Sequence, residues 1–116
     1  MFRTLNLGFD DFGWESLDAR AGVERTSIDG LISRAAAHYA SELMRRRPAT
    51  RVPRHIARAG GGHRARVVAV TVELPASEWN QLRIEAARQR EPIEALLEHA
   101  SLLYLADAER GRLAAR

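Results

Sequence analysis

Each half of the chain opens on an alternation of apolar and polar side chains. Leu5, Leu7 and Phe9 alternate with Thr4, Asn6 and Gly8, and Val68, Val70, Val72 and Leu74 alternate with Ala69, Thr71 and Glu73. A period of two predicts two short strands, each with one buried face. A turn signal follows each, Asp10-Asp11 in the first half and Pro75-Ala76-Ser77 in the second. The spacing then changes to threes and fours, with Trp14, Leu17 and Ala21 matched by Trp79, Leu82 and Ala86, which predicts a helix with one apolar face. A second helix begins after Arg25-Thr26 or Arg90-Glu91. Its apolar face is Ile28, Leu31, Ile32, Ala35, Tyr39 and Leu43 in the first half and Ile93, Leu96, Leu97, Ala100, Leu103 and Tyr104 in the second. Ser27 is suited to cap the first of these second helices, whereas Pro92, at the equivalent position, suits a first helical turn.

The two halves are copies of one pattern. Trp14 and Trp79 stand 65 positions apart, and the same offset aligns Leu17 with Leu82, Ala21 with Ala86, Arg25 with Arg90, Ile28 with Ile93, Leu31 with Leu96, Ala35 with Ala100 and Tyr39 with Tyr104. No insertion is needed, and the matches fall where a helix buries side chains, so duplication explains them. A unit of this size with one apolar strand face cannot close a core or satisfy its strand edges alone. Two such units can do both by pairing their strands into an antiparallel ribbon over four helices. The expected fold is therefore mainly α with a two-stranded antiparallel β-ribbon, built as two fused strand-helix-helix units. The first unit covers residues 1–47 and the second 67–110. Between them lies an Arg-, Gly- and Pro-rich linker, 48–66, and a basic tail follows, 111–116.

Charge is unevenly spread. All 18 basic residues are Arg, and eight of them, Arg45, Arg46, Arg47, Arg51, Arg54, Arg58, Arg64 and Arg66, lie in a stretch with no Asp or Glu. Ten Arg then face 15 acidic residues elsewhere, so a basic segment is set on an acidic body. Arg pairs bidentately with phosphate, which suggests a polyanion partner; a solvated Arg-rich linker is the plainer alternative. No Cys is present, which excludes disulfides and thiolate metal sites. No apolar run approaches the roughly 18 residues that would cross a bilayer, so no membrane association is expected and a cytoplasmic location fits.

The stretch from Val68 to Asp107, and less closely that from Arg3 to Leu43, resembles the ribbon-helix-helix family of DNA-binding proteins. Family members are usually dimers of one unit per chain, so this chain resembles a single-chain pseudo-dimer. The resemblance implies a ribbon inserted in the DNA major groove, a groove wide enough to admit one, and a role in transcriptional regulation. It implies base readers on the solvent face of the strands: Thr4, Asn6 and Gly8 from one, Ala69, Thr71 and Glu73 from the other. It also implies a phosphate held at the N-terminus of the second helix by the amides of Ser27, Ile28 and Asp29. The second copy departs from this, because Pro92 has no amide proton and Glu91 and Glu94 repel phosphate. The basic residue that family members often carry at the outward start of the strand is also missing; Arg3 and Arg66, with Arg64 just before, stand nearby.

The repeat sets Asn6 against Thr71, Gly8 against Glu73 and Ser27 against Pro92. Unequal halves imply a non-palindromic subsite for one chain, with palindromy returning only on further homodimerisation. A diverged protein-interaction module, such as an antitoxin or adaptor, is the alternative function. Catalysis, metal and cofactors are not expected. His38, His55, His63 and His99 lack metal-ligand spacing, the Gly60-Gly61-Gly62 run opens no phosphate loop, and no nucleophile and base converge.

Overall fold

The structure, a computed structural model, describes residues 1–45 and 66–110. In chain order these form β1 (Phe2–Phe9), α1 (Asp11–Val23), α2 (Ile28–Arg45), β2 (Arg66–Glu73), α3 (Ala76–Gln89) and α4 (Ile93–Glu109). The protein is mainly helical, with one two-stranded antiparallel sheet and four helices. β2 starts at Arg66, so the residue expected to end the linker instead begins the second strand.

The strands pair in register from Phe2↔Glu73 to Phe9↔Arg66, with Leu5 opposite Val70 near the middle. The offset that relates the halves maps this register onto itself, since Leu5 and Val70 are 65 positions apart and Phe2↔Glu73 maps onto Val67↔Gly8. The apolar positions expected to face inward do so. Leu5, Leu7, Phe9, Val70, Val72 and Leu74 are buried, along with Leu31, Ile32, Leu96 and Leu97 from the second helices. Val68 is the exception, at 39% exposed, although the Leu7 it pairs with is fully buried.

Packing crosses between the halves. β1 lies against α4 and β2 against α2, while α2 and α4 pack on each other. The tryptophans do the same with specific bonds: Trp14 Nε1 donates to the Arg66 carbonyl (2.7 Å) and Trp79 Nε1 to the Met1 carbonyl (3.0 Å). These donors and acceptors are again 65 positions apart. Trp14 thus anchors its helix to the strand of the other half, and Trp79 anchors its helix to the residue just ahead of the other strand, while both fill the core.

The turns between the paired helices are also alike. Arg25 and Arg90 both adopt the left-handed conformation, with φ of 56° and 58°. Thr26 N–H bonds the Ala21 carbonyl and Arg25 N–H that of Gly22, as Glu91 bonds Ala86 and Arg90 bonds Ala87. This pair of bonds closes a helix C-terminus by satisfying its last carbonyls. Neither turn uses glycine, so each carries the modest cost of a β-carbon in left-handed backbone.

Candidate nucleic-acid interface

Strand alternation leaves one face of the ribbon without a helix over it among the described residues. Thr4, Asn6, Ala69 and Glu73 are exposed there, and Gly8 and Thr71 are half-buried. All six expected readers therefore share one face. Their cross-strand neighbours differ from their repeat equivalents, however: Thr4 lies opposite Thr71, Asn6 opposite Ala69, Gly8 opposite Val67 and Glu73 opposite Phe2. Asn6 and Thr71, set against each other by the repeat, are not a pair in the ribbon. Thr4 and Thr71 are, and their hydroxyls hydrogen-bond each other at 3.1 Å.

Phe2 and Val67 complete this face and were not among the expected readers. They are 67% and 61% exposed, at opposite ends of the ribbon, and are themselves 65 positions apart. The signal was present in the alternation, which extends one step before Thr4 and one before Ala69; their apolar character concealed it. None of the eight outward positions is basic.

Arg3 and Arg66 do not stand among the readers. Arg3 has the inward parity of Leu5, and Arg66 that of Val70, because both are an even number of positions away along their strands. Each lies at an end of the ribbon with its guanidinium over a tryptophan, Arg3 over Trp79 (5.3 Å to the ring centroid) and Arg66 over Trp14 (5.8 Å). Both remain exposed, so a charge flanks each end of the outward face. Arg64, and the basic stretch from 46 to 65, lie outside the described residues.

The outer edges of the ribbon are held by helix side chains. Asp29 accepts from the Thr71 N–H (3.1 Å), Ser33 from the Glu73 N–H (3.0 Å) and Glu98 from the Gly8 N–H (2.8 Å). The Ser33 and Glu98 positions are equivalent under the repeat. These bonds fix the backbone of three of the expected readers and close strand N–H groups to another strand.

At the start of α2, Ser27 Oγ accepts from the Gly30 N–H at 3.0 Å, so this hydroxyl caps the helix. The Ile28 and Asp29 amides precede the first intrahelical bond, made by Leu31 N–H to the Ser27 carbonyl. Thr26 closes over the same turn so tightly that a Cβ on Gly30 would lie 2.2 Å from its hydroxyl oxygen. Asp29, whose amide is expected with those of Ser27 and Ile28 to face an anion, directs its side-chain carboxylate at the ribbon. Pro92 stands at the N-cap of α4 and not in its first turn, with no side-chain cap. It therefore removes only the amide ahead of the helix, while Glu94 keeps the first turn acidic.

A polar bridge ties the helices beneath the ribbon. The Tyr104 hydroxyl donates to the Glu24 carboxylate (2.9 Å), which also accepts from Arg20 (2.7 Å) and Arg34 (2.8 Å). Burial pushes the Glu24 carboxyl up, but these three hydrogen bonds outweigh it and hold the group below the usual glutamate range. At the equivalent positions stand Tyr39, Gln89, Glu85 and His99. There Glu85 is the buried carboxylate, held below its ordinary range chiefly by Arg88, and it accepts from Gln89 at 2.5 Å. Burial raises the Tyr39 hydroxyl, as it does that of Tyr104.

No helix among the described residues is long and apolar enough to cross a membrane. Compared with family models, with curated proteins and with solved structures, the chain has no match.

Proposed function

We propose that the chain is a single-chain pseudo-dimer of ribbon-helix-helix units that binds double-stranded DNA through the outward face of its ribbon, as a transcriptional regulator. The observation that carries this reading is the ribbon itself: two antiparallel strands whose register, edge contacts and tryptophan bonds recur at a spacing of 65, with Thr4, Asn6 and Thr71 presented together on an uncovered face. The major groove admits a two-stranded ribbon, and these side chains can donate to and accept from base edges. Arg3 and Arg66, together with the Arg-rich stretch between the halves, supply charge for flanking phosphates, and the first turn of α2 offers the amides of Ile28 and Asp29.

One set of observations favours a second reading, a protein-interaction module such as an antitoxin or adaptor. The outward face carries exposed Phe2 and Val67 and the acidic Glu73 but no basic side chain. The described residues hold ten Arg against 15 Asp and Glu.

Salt dependence separates the two. If Arg side chains neutralise phosphates, duplex affinity falls linearly on log-log axes with a slope of about −0.9 per phosphate. A titration of labelled duplex should give that steep dependence. Absence of duplex binding even at low salt would leave the protein-interaction reading in its place.

A further inference from the structure

Resting on the DNA-binding reading, we infer that the ribbon is built for A·T-rich duplex, recognised mainly through thymine C5-methyl groups. The eight outward positions are four cross-strand pairs, Phe2 with Glu73, Thr4 with Thr71, Asn6 with Ala69 and Val67 with Gly8. In the major groove guanine presents two acceptors, N7 and O6, whose matching donor is a bidentate Arg or Lys. This face has neither. Adenine presents an acceptor beside a donor, which a carboxamide matches, and Asn6 is the face's one carboxamide. Thymine presents a methyl group, which needs an apolar surface.

Five of the eight side chains offer that surface: Phe2, Thr4, Val67, Ala69 and Thr71. Phe2 and Val67, at 67% and 61% exposed, are the most exposed large apolar side chains of the ribbon, and no helix among the described residues covers them. The Thr4 and Thr71 hydroxyls are bonded to each other, so one of their two protons is spent within the pair while both methyl groups remain. Glu73, an acceptor only, matches the N4 amine of cytosine and sits at one end beside Phe2, so a G·C pair is accommodated at that end.

Dimensions agree with one continuous stretch. Phe2 and Gly8, and therefore Phe2 and Val67, are six residues apart along the ribbon, or about 20 Å at roughly 3.3 Å per residue. That length matches about six base pairs at about 3.4 Å each. The apolar contacts at its two ends are thus separated by one A·T-rich subsite.

The test compares, with the full chain at fixed salt, an A·T-rich duplex with the same sequence carrying uracil in place of thymine. Uracil keeps every hydrogen-bonding group and lacks only the methyl. The expected result is a loss of about fourfold for each methyl contacted and at least tenfold for the fully substituted duplex. A Phe2→Ala, Val67→Ala variant should bind both duplexes with affinities closer together than those of the unaltered chain; both residues are exposed, so its fold is expected to stand. Equal binding of thymine and uracil duplexes by the unaltered chain would overturn methyl recognition while leaving DNA binding intact. An undiminished thymine preference in the variant would overturn its assignment to these residues. Failure to bind any duplex at low salt would remove the DNA-binding reading, and this inference with it.

Discussion

Replacing Trp14 with alanine is expected to destabilise the fold by about 3 to 5 kcal/mol, as for other large-to-small changes at buried aromatic positions. The indole is 3% exposed and meets Phe9 edge to face at 4.8 Å between ring centroids. Its Nε1 also bonds the Arg66 carbonyl, in the strand of the other half. The substitution therefore removes core volume and a link between α1 and β2 together. Trp14→Phe keeps most of the volume and loses the bond, whose net contribution is about 1 kcal/mol. Domains of this kind are commonly stable by only about 5 to 15 kcal/mol, so the alanine variant forfeits a large share of the total. Urea unfolding of the three proteins would show midpoints falling in the order Trp, Phe, Ala. An alanine midpoint close to that of the unaltered chain would contradict the role given to this anchor.

Loss of the Glu24 carboxylate is expected to cost about 2 to 3 kcal/mol near neutral pH, the range for hydrogen bonds to a charged group within a partly buried site. Most of this comes from Tyr104 and Arg20. Arg34 is half exposed at its side chain, and such a pair contributes little. The pH dependence follows from the direction of the shift. Because the folded carboxyl titrates below its ordinary value, its stabilisation is complete above the unfolded glutamate value of about 4.3 and is lost as pH falls through the lower folded value. Glu24→Gln should therefore unfold more readily than the unaltered chain at pH 7, and the gap should narrow as pH falls below the unfolded glutamate value. A gap that persists unchanged in acid would show that the carboxylate charge is not what holds the bridge.

Period alone identified the strands, the helices and the buried faces, because Leu5, Leu7 and Phe9, or Leu31, Ile32 and Ala35, repeat at the intervals their elements impose. It also put Trp14 and Trp79 on the buried helix faces and placed six expected readers on one face. It could not supply what depends on contact between distant segments. The Trp14 and Trp79 bonds, the capture of strand N–H groups by Asp29, Ser33 and Glu98, and the Tyr104 to Glu24 bridge all join residues 40 or more positions apart. Cross-strand pairing was obscured for a related reason. Equivalence under the repeat is a rotation about the middle of the ribbon, so Asn6 occupies the place of Thr71 without touching it. Arg3 and Arg66 were near the strand starts in sequence, but parity turned them toward the tryptophans. Phe2 and Val67 are apolar residues at strand ends, and only their exposure separates such positions from core.

Divergence between the halves gives the DNA-binding account its most specific consequence. The Thr4 and Thr71 pair has Asn6 and Ala69 at its equivalent, so one ribbon presents two different half-faces. Selection of bound duplexes from a random pool, carried out with the full chain and with an Asn6→Ala, Thr71→Ala variant, tests that account directly. The unaltered chain is predicted to enrich a non-palindromic subsite of about six base pairs, the length of the ribbon's outward face. The variant is predicted to relax base preference within that subsite, whereas Arg51→Ala with Arg54→Ala should weaken all sequences alike. No enrichment by the unaltered chain, or the same preferred sequence from the Asn6 and Thr71 variant, would contradict the claim that the ribbon reads DNA.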